Sequence, residues 1–251
     1  MQIPHQIHTS LGGKHLCYWN SSDSEARWQA NMRDPECRKR LEDAGYGHHL
    51  SIRYRFNKFG FRCDEFDQTP CVVALGCSFT SGVGLREEDI WCTQLARRLN
   101  LSLVNLGVAG GSMDTCARLL YHWLPQLDAR LVCMLEPPSD RFEVKVPSDY
   151  SPRVFAPNFV NSPYEVLPKI WYSDDANSQI NLWKNRLVLA QICDKHRVPL
   201  VSTDLCTGLM KFKSDGQIFP PARDLMHEGA RSHVFCADYF ELMIKQQGIT
   251  V

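Results

Sequence analysis

The sequence lacks several features that define large classes of protein. Its 251 residues contain no internal repeat and no apolar run near the roughly 18 residues that a transmembrane helix needs. The first residues show no basic stretch followed by an apolar one, so we expect no secretory signal peptide. Lys plus Arg and Asp plus Glu number 28 each, so no excess charge attracts nucleic acid or an anionic membrane. With 44% hydrophobic residues, the composition is that of a globular protein.

Paired cysteines are also missing, although cysteine itself is frequent. The 11 cysteines are an odd number, are scattered singly, and include no C-x-x-C pair. Several lie within apolar runs such as residues 131–135, where cysteine behaves as a small hydrophobic residue. This pattern indicates free thiols, and therefore the cytoplasm or another reducing compartment.

Residues 69–251 alternate between short apolar strands and amphipathic helices. Strands are predicted at 71–75, 101–106, 131–135 and 199–203, and helices at 87–99, 112–124, 179–196 and 229–245. Strands that are joined through helices run parallel, because each connection must cross over the sheet. We therefore expect one α/β domain, a three-layer sandwich whose mostly parallel sheet has four or five strands.

Residues 1–68 contain few aliphatic side chains and are expected to form an appendage that packs on this domain. A helix is predicted from Ser22 and Asp23 to about Met32. A second helix should begin after Asp34, since Asp is a favoured N-cap and Pro35 suits the first helical position.

The segment 51–56 alternates aromatic or aliphatic residues with Arg53, Arg55 and then Asn57, which predicts a half-buried strand. Its basic and aromatic side chains are also compatible with nucleic-acid binding. The zero net charge favours the edge-strand interpretation, with aromatics facing inward and charges facing water.

Residues 137–177 interrupt the strand–helix alternation. The segment contains seven prolines interleaved with seven aromatic residues. A long connection of this kind inside a compact domain is usually functional. We predict an ordered but irregular loop that lies over the active edge of the sheet.

Three short motifs follow predicted strands or precede the last helix. The first, 76–82 (GCSFTSG), places Ser78 where a strand turns into a helix, at the carboxyl edge of the sheet. The second, 105–112 (NLGVAGGS), supplies glycines that allow backbone to approach a ligand closely. The third, 224–229 (DLMHEG), brings Asp224 and His227 together in one short turn.

Together these motifs resemble the blocks of the SGNH/GDSL hydrolase superfamily, over about residues 70–245. The first is similar to that family's G-D-S-x-T/S-x-G block, with Cys77 where Asp is common, and the third to its D-x-x-H block. The resemblance implies a flavodoxin-like α/β fold and a Ser78–His227–Asp224 catalytic triad. It also implies an oxyanion hole formed by the backbone N–H groups of Ser78 and Gly110.

The sequence departs from this family at the block after the third strand. The family has G-x-N-D there, whereas this chain reads Glu136 followed by two prolines, Ser139, Asp140 and Arg141. No asparagine can supply the side-chain donor of the oxyanion hole. Either Ser139 or Arg141 replaces it, or the hole has only two backbone donors; the loss of one donor typically costs about 10²–10³ in turnover.

Other roles for these residues stay open at this point. Cys77 is an alternative nucleophile, Asp204 an alternative orienter of the histidine, and Gly107 or Gly111 an alternative oxyanion donor. His227 and Asp224 could bind a metal, but a mononuclear site needs three or more ligands and no matching cluster is present. His233 is expected to be a surface histidine or one with satisfied hydrogen bonds.

The predicted function is hydrolysis of a short-chain acyl or O-acetyl ester, with a small molecule or a carbohydrate as substrate. We expect no metal or other cofactor, and no nucleic-acid or membrane partner; the sequence does not indicate an oligomeric state. Two alternatives remain: an O-acyltransferase that uses the same triad on a carbohydrate, and a binding or structural protein with weakened catalysis.

Overall fold

The computed structural model of the protein describes residues 11–19, 22–146, 152–157, 166–204 and 220–251. The strands in these ranges are β1 (His15–Leu16), β2 (Tyr54–Arg55), β3 (Cys71–Leu75), β4 (Ser102–Asn105), β5 (Ala129–Glu136), β6 (Phe142–Val144), β7 (Arg153–Phe155) and β8 (Leu200–Asp204). The helices are α1 (Glu25–Arg33), α2 (Pro35–Asp43), α3 (Ser78–Ser81), α4 (Trp91–Leu99), α5 (Met113–Trp123), α6 (Val166–Trp171), α7 (Ala176–His196) and α8 (Ala230–Gln246).

The main sheet consists of four parallel strands in the order β4-β3-β5-β8. Each predicted strand between residues 71 and 204 is present, and the predicted α/β class with a parallel sheet is confirmed. Because all four strands run in the same direction, their carboxyl ends meet at one edge. That edge carries the turns after Leu75, Asn105 and Glu136, and the carboxyl end of β8 at Asp204.

Alternating side chains of β3 point into two separate hydrophobic clusters. Val72 and Ala74 pack with α4 and α8 on one side of the sheet, while Val73 and Leu75 pack with α5 and α7 on the other. The period of two in a strand explains this division, since successive side chains face opposite sides. The domain is therefore a three-layer sandwich with helices on both faces.

The first 68 residues contribute to the cluster on the α4 and α8 side. Leu41, Tyr46 and Ile52 are fully buried there, although the segment is poor in aliphatic residues. Helix α2 begins as predicted, with the Asp34 carboxylate accepting a hydrogen bond from Cys37 N (2.8 Å). Helix α1 begins slightly later than predicted, because Ser24 is its N-cap.

The predicted strand at 51–56 is shorter than expected, since only β2 pairs, antiparallel to β1. Asn57, the residue after the predicted strand, is polar, yet its side chain is buried. Its Oδ1 accepts hydrogen bonds from Phe59 N and Phe61 N, both at 3.0 Å, and its Nδ2 donates to Asp64 O. A local turn thus satisfies the amide, which allows burial of a polar residue without cost in unmade hydrogen bonds.

The prediction of an irregular loop for residues 137–177 is only partly correct. Strands β6 and β7 form an antiparallel hairpin, and α6 follows them. The Phe142 ring stacks on Phe155 and Trp171, with ring centroids 5.3 and 4.3 Å apart. These stacked aromatic rings pack the hairpin against α6, although the segment is rich in proline. The rest of the predicted loop, 147–151 and 158–165, lies outside the described residues.

Two further properties concern the described residues as a whole. None of their helices combines the length and the apolar character that crossing a bilayer requires. The ten cysteines among them are free thiols, as predicted, and eight of these are buried.

Candidate active site

The turn that carries Ser78 depends on a glycine. Gly76 has φ +155°, and a Cβ placed there would lie 2.1 Å from Thr80 Oγ1 and 2.7 Å from Leu135 O. The chain can therefore pass from β3 into α3 within two residues only because no side chain is present. Ser78, the first residue of α3, is partly exposed, whereas Cys77 is buried. The buried thiol makes Cys77 a poor alternative to Ser78 as a nucleophile.

Arg62, a buried residue to which the sequence analysis assigned no role, binds the C-terminal end of α3. The Arg62 guanidinium donates hydrogen bonds to the carbonyls of Ser81, Gly82 and Leu85, the last at 2.7 Å. It also stacks over the Tyr54 ring, with the guanidinium carbon 4.3 Å from the ring centroid. A cation at the C-terminal end of a helix stabilises it through its unpaired carbonyls.

The turn from Asp224 to His227 is closed by the aspartate itself. Asp224 Oδ1 accepts hydrogen bonds from Met226 N (3.0 Å) and His227 N (2.9 Å). Asp224 Oδ2 lies 2.5 Å from His227 Nδ1. Leu225 between them has φ +57°, a strained conformation for a branched residue that this network of bonds maintains.

The protonation of this pair follows from its surroundings. Burial disfavours the Asp224 carboxylate, but the hydrogen bonds from the His227 ring and backbone outweigh it and lower the pKa of Asp224 to about 2. An ionised carboxylate only accepts hydrogen bonds, so Nδ1 must carry the proton. His227 Nε2 is then the basic nitrogen of the ring. Asp204, the alternative orienter, does not form the bond that Asp224 makes with the ring.

The His227 ring lies next to the turn that carries Ser78. It contacts the ring of Phe79, the residue after Ser78, edge to face with centroids 5.4 Å apart. Among the described residues, Ser78 Oγ forms no hydrogen bond with His227. Such bonds are often long before substrate binds and tighten in the complex with substrate.

The glycine-rich loop after β4 distinguishes among the three candidate oxyanion donors. Gly107 N–H donates to Asn105 Oδ1 (2.9 Å), and Gly111 N–H donates to Val108 O (2.8 Å). Gly110 is exposed with φ +77°, and its N–H has no partner within the described residues. Gly110 is thus the candidate glycine whose N–H remains available to a ligand.

Asn105 connects this loop to α3, the helix that begins at Ser78. Its fully buried side chain donates to Thr80 O (2.9 Å) while accepting from Gly107 N. A Cβ at Gly107 would lie 2.6 Å from Ser81 N, so the two segments touch backbone to backbone. The motif spacing alone did not reveal this role of Asn105.

The two candidates for a third oxyanion donor differ in their contacts. Arg141 Nη1 donates to Gly111 O (3.3 Å), which brings its guanidinium to the glycine-rich loop. Ser139 is partly exposed and its hydroxyl forms no hydrogen bond with the described residues. Glu136, which begins this segment, is occupied by a two-point ion pair with Arg186 (3.0 and 2.6 Å).

A buried ion pair ties the histidine turn to the N-terminal segment. Arg223, adjacent to Asp224, donates from Nε and Nη2 to the two carboxylate oxygens of Asp23 (2.9 and 2.7 Å). The Tyr54 hydroxyl donates to Asp23 Oδ2 (2.5 Å) and accepts from Gly84 N (2.7 Å). The pair and the tyrosine thus link three parts of the chain around the site: residues 17–54, the loop after α3, and the turn before α8.

His233 is buried and its ring accepts a hydrogen bond. Of the two predictions, a surface histidine or one with satisfied hydrogen bonds, the second describes it. Its Nδ1 accepts a hydrogen bond from Trp91 N (3.1 Å) at the start of α4. Burial, with a smaller effect of the charges of His227 and Arg62, lowers the pKa of His233 to about 3, so the ring is neutral. In the part of the chain that is described, no group of three or more His, Cys, Asp or Glu side chains could hold a metal ion.

Comparisons with known proteins give structural likenesses only. No protein-family model matches the chain, and no curated protein matches it. One similar solved structure is the psychrotrophic esterase EstA from Pseudoalteromonas sp., with 14% identity, 72% of this chain and 99% of that chain covered, and a TM-score of 0.39. Another is TesA, with 14% identity, 70% and 98% covered, and a TM-score of 0.40.

A third is an acetyl xylan esterase from the rumen bacterium Butyrivibrio proteoclasticus. It shares 12% identity, 76% of this chain and 66% of that chain are covered, and the TM-score is 0.34. Likenesses at these values carry no conclusion about the activity of this chain.

Proposed function

We propose that this protein is a serine hydrolase that cleaves carboxylic esters. Ser78 is the nucleophile, His227 the general base and Asp224 the residue that orients it. The observation that carries the proposal is the bond between Asp224 Oδ2 and His227 Nδ1 (2.5 Å), which leaves Nε2 basic in a ring that contacts Phe79. A partly exposed serine one residue from that contact supports the nucleophile assignment.

The reaction has two steps of acyl transfer. Ser78 Oγ bonds to the ester carbonyl carbon and its proton passes to His227 Nε2; the tetrahedral intermediate then collapses, and the leaving alcohol takes that proton. Water next attacks the acyl-enzyme, gives its proton to His227, and releases the carboxylic acid with Ser78 restored. Asp224 remains ionised throughout and stabilises the positive charge on the imidazole.

The oxyanion of each tetrahedral intermediate is bound by the backbone N–H groups of Ser78 and Gly110. Support comes from the free N–H of Gly110 and from the position of Ser78 at the start of α3. Arg141 is the better candidate for a third donor, because its guanidinium already contacts Gly111 O. A small, largely apolar pocket beside the same loop, lined in part by Trp19, Val83, Val108 and Ala109, suits a short acyl group.

The proposal is tested with a series of aryl esters of increasing acyl length. The wild-type protein should release free carboxylic acid, fastest with short acyl groups. Ser78→Ala and His227→Ala should each lower kcat by about 10⁴-fold or more, while thermal unfolding stays nearly unchanged. Cys77→Ala, at the neighbouring buried position, is the matched control and should retain activity.

Asp224→Asn should reduce kcat less than loss of Ser78, since Asp224 orients a group and does not react. Asp204→Asn is its control and should turn over at nearly the wild-type rate. Full activity in Ser78→Ala would contradict the proposal. Transfer of the acyl group to an added sugar hydroxyl, without release of free acid, would instead identify an acyltransferase.

A further inference from the structure

The pocket beside the glycine-rich loop has two walls of different origin. One wall consists of residues of α3 and of the glycine-rich loop, among them Ser81 and Ala109. The other wall belongs to the N-terminal segment and includes Trp19 and Phe56. This segment carries none of the three motifs, yet it closes the pocket.

Ser78 lies between this pocket and the proposed base. Successive residues of a helix project about 100° apart, so Phe79 and Ser81 project from α3 in directions that differ by about 160°. The His227 ring contacts Phe79, whereas Ser81 lines the pocket. In the described part of the chain, no residue between 222 and 229 lines the pocket. The base and the pocket are therefore on opposite sides of the nucleophile.

The places of two groups on the ester carbonyl carbon follow from the proposed function, on which this inference rests. The carbonyl oxygen faces the N–H groups of Ser78 and Gly110. The leaving alcohol faces His227, because it must take the proton from Nε2. The acyl chain is the remaining group and points away from the histidine. It therefore points to the side of the pocket, where Ala109 directly precedes Gly110.

The pocket is small, and much of its N-terminal wall is fixed. Its volume is about 20 Å³, room for about one water-sized group such as a methyl. Tyr54 and Arg62 in this wall are buried. The Tyr54 hydroxyl bonds to Asp23 and to Gly84 N, and the Arg62 guanidinium bonds to carbonyls at the end of α3. These side chains cannot move aside without losing buried hydrogen bonds.

Trp19 differs from these residues, because it lines the pocket and is also partly exposed. Its indole therefore forms part of the boundary between the pocket and solvent. The indole packs against the rings of Phe56 and Tyr54, with centroids 5.5 and 6.2 Å apart. A longer acyl chain would have to displace this ring from its aromatic neighbours.

We propose that Trp19 determines the acyl specificity of the site and restricts it to acetyl esters. The pocket accommodates one methyl group, and the indole blocks the path that further methylenes would take. One methylene too many in a hydrophobic pocket changes kcat/KM by about 10–200-fold. The N-terminal segment thus sets the substrate class, while the three motifs supply the reacting groups.

The values of kcat/KM for the acetyl and hexanoyl esters of one aryl alcohol test this proposal. The wild type should favour the acetyl ester by about 100-fold or more, and Trp19→Ala should raise the hexanoyl-to-acetyl ratio by about 10–100-fold. Because the two esters share the alcohol, the ratio reports on the acyl side alone. Trp28→Ala is the matched control and should leave the ratio unchanged. Trp28 belongs to the same segment and packs on the same hydrophobic cluster as Trp19, but it does not line the pocket.

Two further measurements separate specificity from folding and from binding of the alcohol. Trp19→Phe keeps a ring beside Phe56 and should raise the ratio by less than Trp19→Ala does, with thermal unfolding close to that of the wild type. This variant decides the outcome if Trp19→Ala does not fold. For the acetyl esters of phenol and naphthol, Trp19→Ala should leave the ratio of kcat/KM unchanged, since the alcohol faces His227.

A wild-type protein that prefers the hexanoyl ester would overturn the proposal. A change in the alcohol series without one in the acyl series would also overturn it, because the pocket would then hold the alcohol. Hydrolysis that depends on Ser78, with a hexanoyl-to-acetyl ratio that neither Trp19 variant alters, would overturn the role of Trp19 alone. Absence of hydrolysis of every ester by the wild type would contradict the proposed function and this inference with it.

Discussion

The two sides of the sheet differ in the buried polar groups that lie between their helices. On one side, α4 and α8 meet through the stacked rings of Trp91 and Phe240, 4.5 Å apart, and through the hydrogen bond from Trp91 N to His233 Nδ1. The buried charges on that side belong to the N-terminal segment and the histidine turn, where Asp23 pairs with Arg223. On the other side, α7 itself buries its asparagines against Asp114.

This difference shows what each buried polar group does for the protein. On the α4 and α8 side, the ion pair fixes segments that position the candidate active site. On the α5 and α7 side, the polar cluster around Asp114 holds the N-terminal half of α7, while Leu189, Ile192 and Cys193 of its C-terminal half pack in the hydrophobic cluster. Buried polar groups in both places set geometry, because each must keep its partners to avoid the cost of desolvation.

The largest expected effect comes from breaking the ion pair behind the histidine turn. Arg223→Met should lower the free energy of unfolding by about 3–5 kcal/mol, since the Asp23 carboxylate stays buried without a counter-charge. Urea denaturation followed by circular dichroism measures it. Arg118→Met, in the ion pair with Glu143 on the other side, is the comparison and should cost about 2 kcal/mol. Glu143 is less affected because this pair is less completely buried: the side chains of Arg118 and Glu143 are 11% and 7% exposed, against 0% and 1% for Arg223 and Asp23. Equal losses of unfolding free energy in Arg223→Met and Arg118→Met would show that the two ion pairs do not differ in their contribution to stability.

A smaller effect is expected from pH, through His233. Its pKa in the folded protein is lowered to about 3, so the unfolded chain binds more protons below its ordinary value of 6.5. Stability from this residue is therefore present at neutral pH and lost as the pH falls, by about 3 kcal/mol between pH 6.5 and pH 4.

His233→Gln should flatten this part of the stability profile while keeping an acceptor for Trp91 N. Measurement of urea unfolding at several pH values gives the slope. His15→Gln, at an exposed position of β1, should leave the slope unchanged. An unaltered slope in His233→Gln would show that other groups cause the loss of stability in acid.

The smallest expected effect concerns the polar side of α7. Asn185→Leu removes one donor from Asp114 but leaves Asn181 and Lys184, so the free energy of unfolding should fall by only about 1–2 kcal/mol. Thermal or urea unfolding detects a change of this size. A gain in stability would mean that the cluster around Asp114 costs more than it contributes.

Local pattern was enough to predict most of the fold. The predicted apolar runs became β3, β4, β5 and β8, with bounds that differ by at most one residue, except that β5 begins two residues earlier than predicted. Strand and helix periodicity is a local property, and Gly, Pro and capping residues mark where elements end. The same reasoning failed for β6 and β7, because prolines and aromatics there conceal a short hairpin that tertiary stacking stabilises.

The candidate site was predictable only in part. The spacing of the motifs placed Ser78, Asp224, His227 and Gly110 at one edge of the sheet, and the Asp224–His227 bond agrees with that arrangement. The triad as a whole stays a prediction. No periodic pattern in the sequence pointed to Arg62, Asp23 or Arg223. One hint was that a charged residue, Arg223, stands directly before the predicted catalytic aspartate.

The sequence by itself determined the α/β class, the order of the strands along the chain and the turn chemistry at Gly76 and Asp224, since these depend on near neighbours. Only the tertiary structure decided which charges are buried together and which side of α7 faces out. Asp23 and Arg223 are 200 residues apart, and no local preference records such a pairing. It arises because folding brings the two groups into one water-free place where neither charge is stable alone.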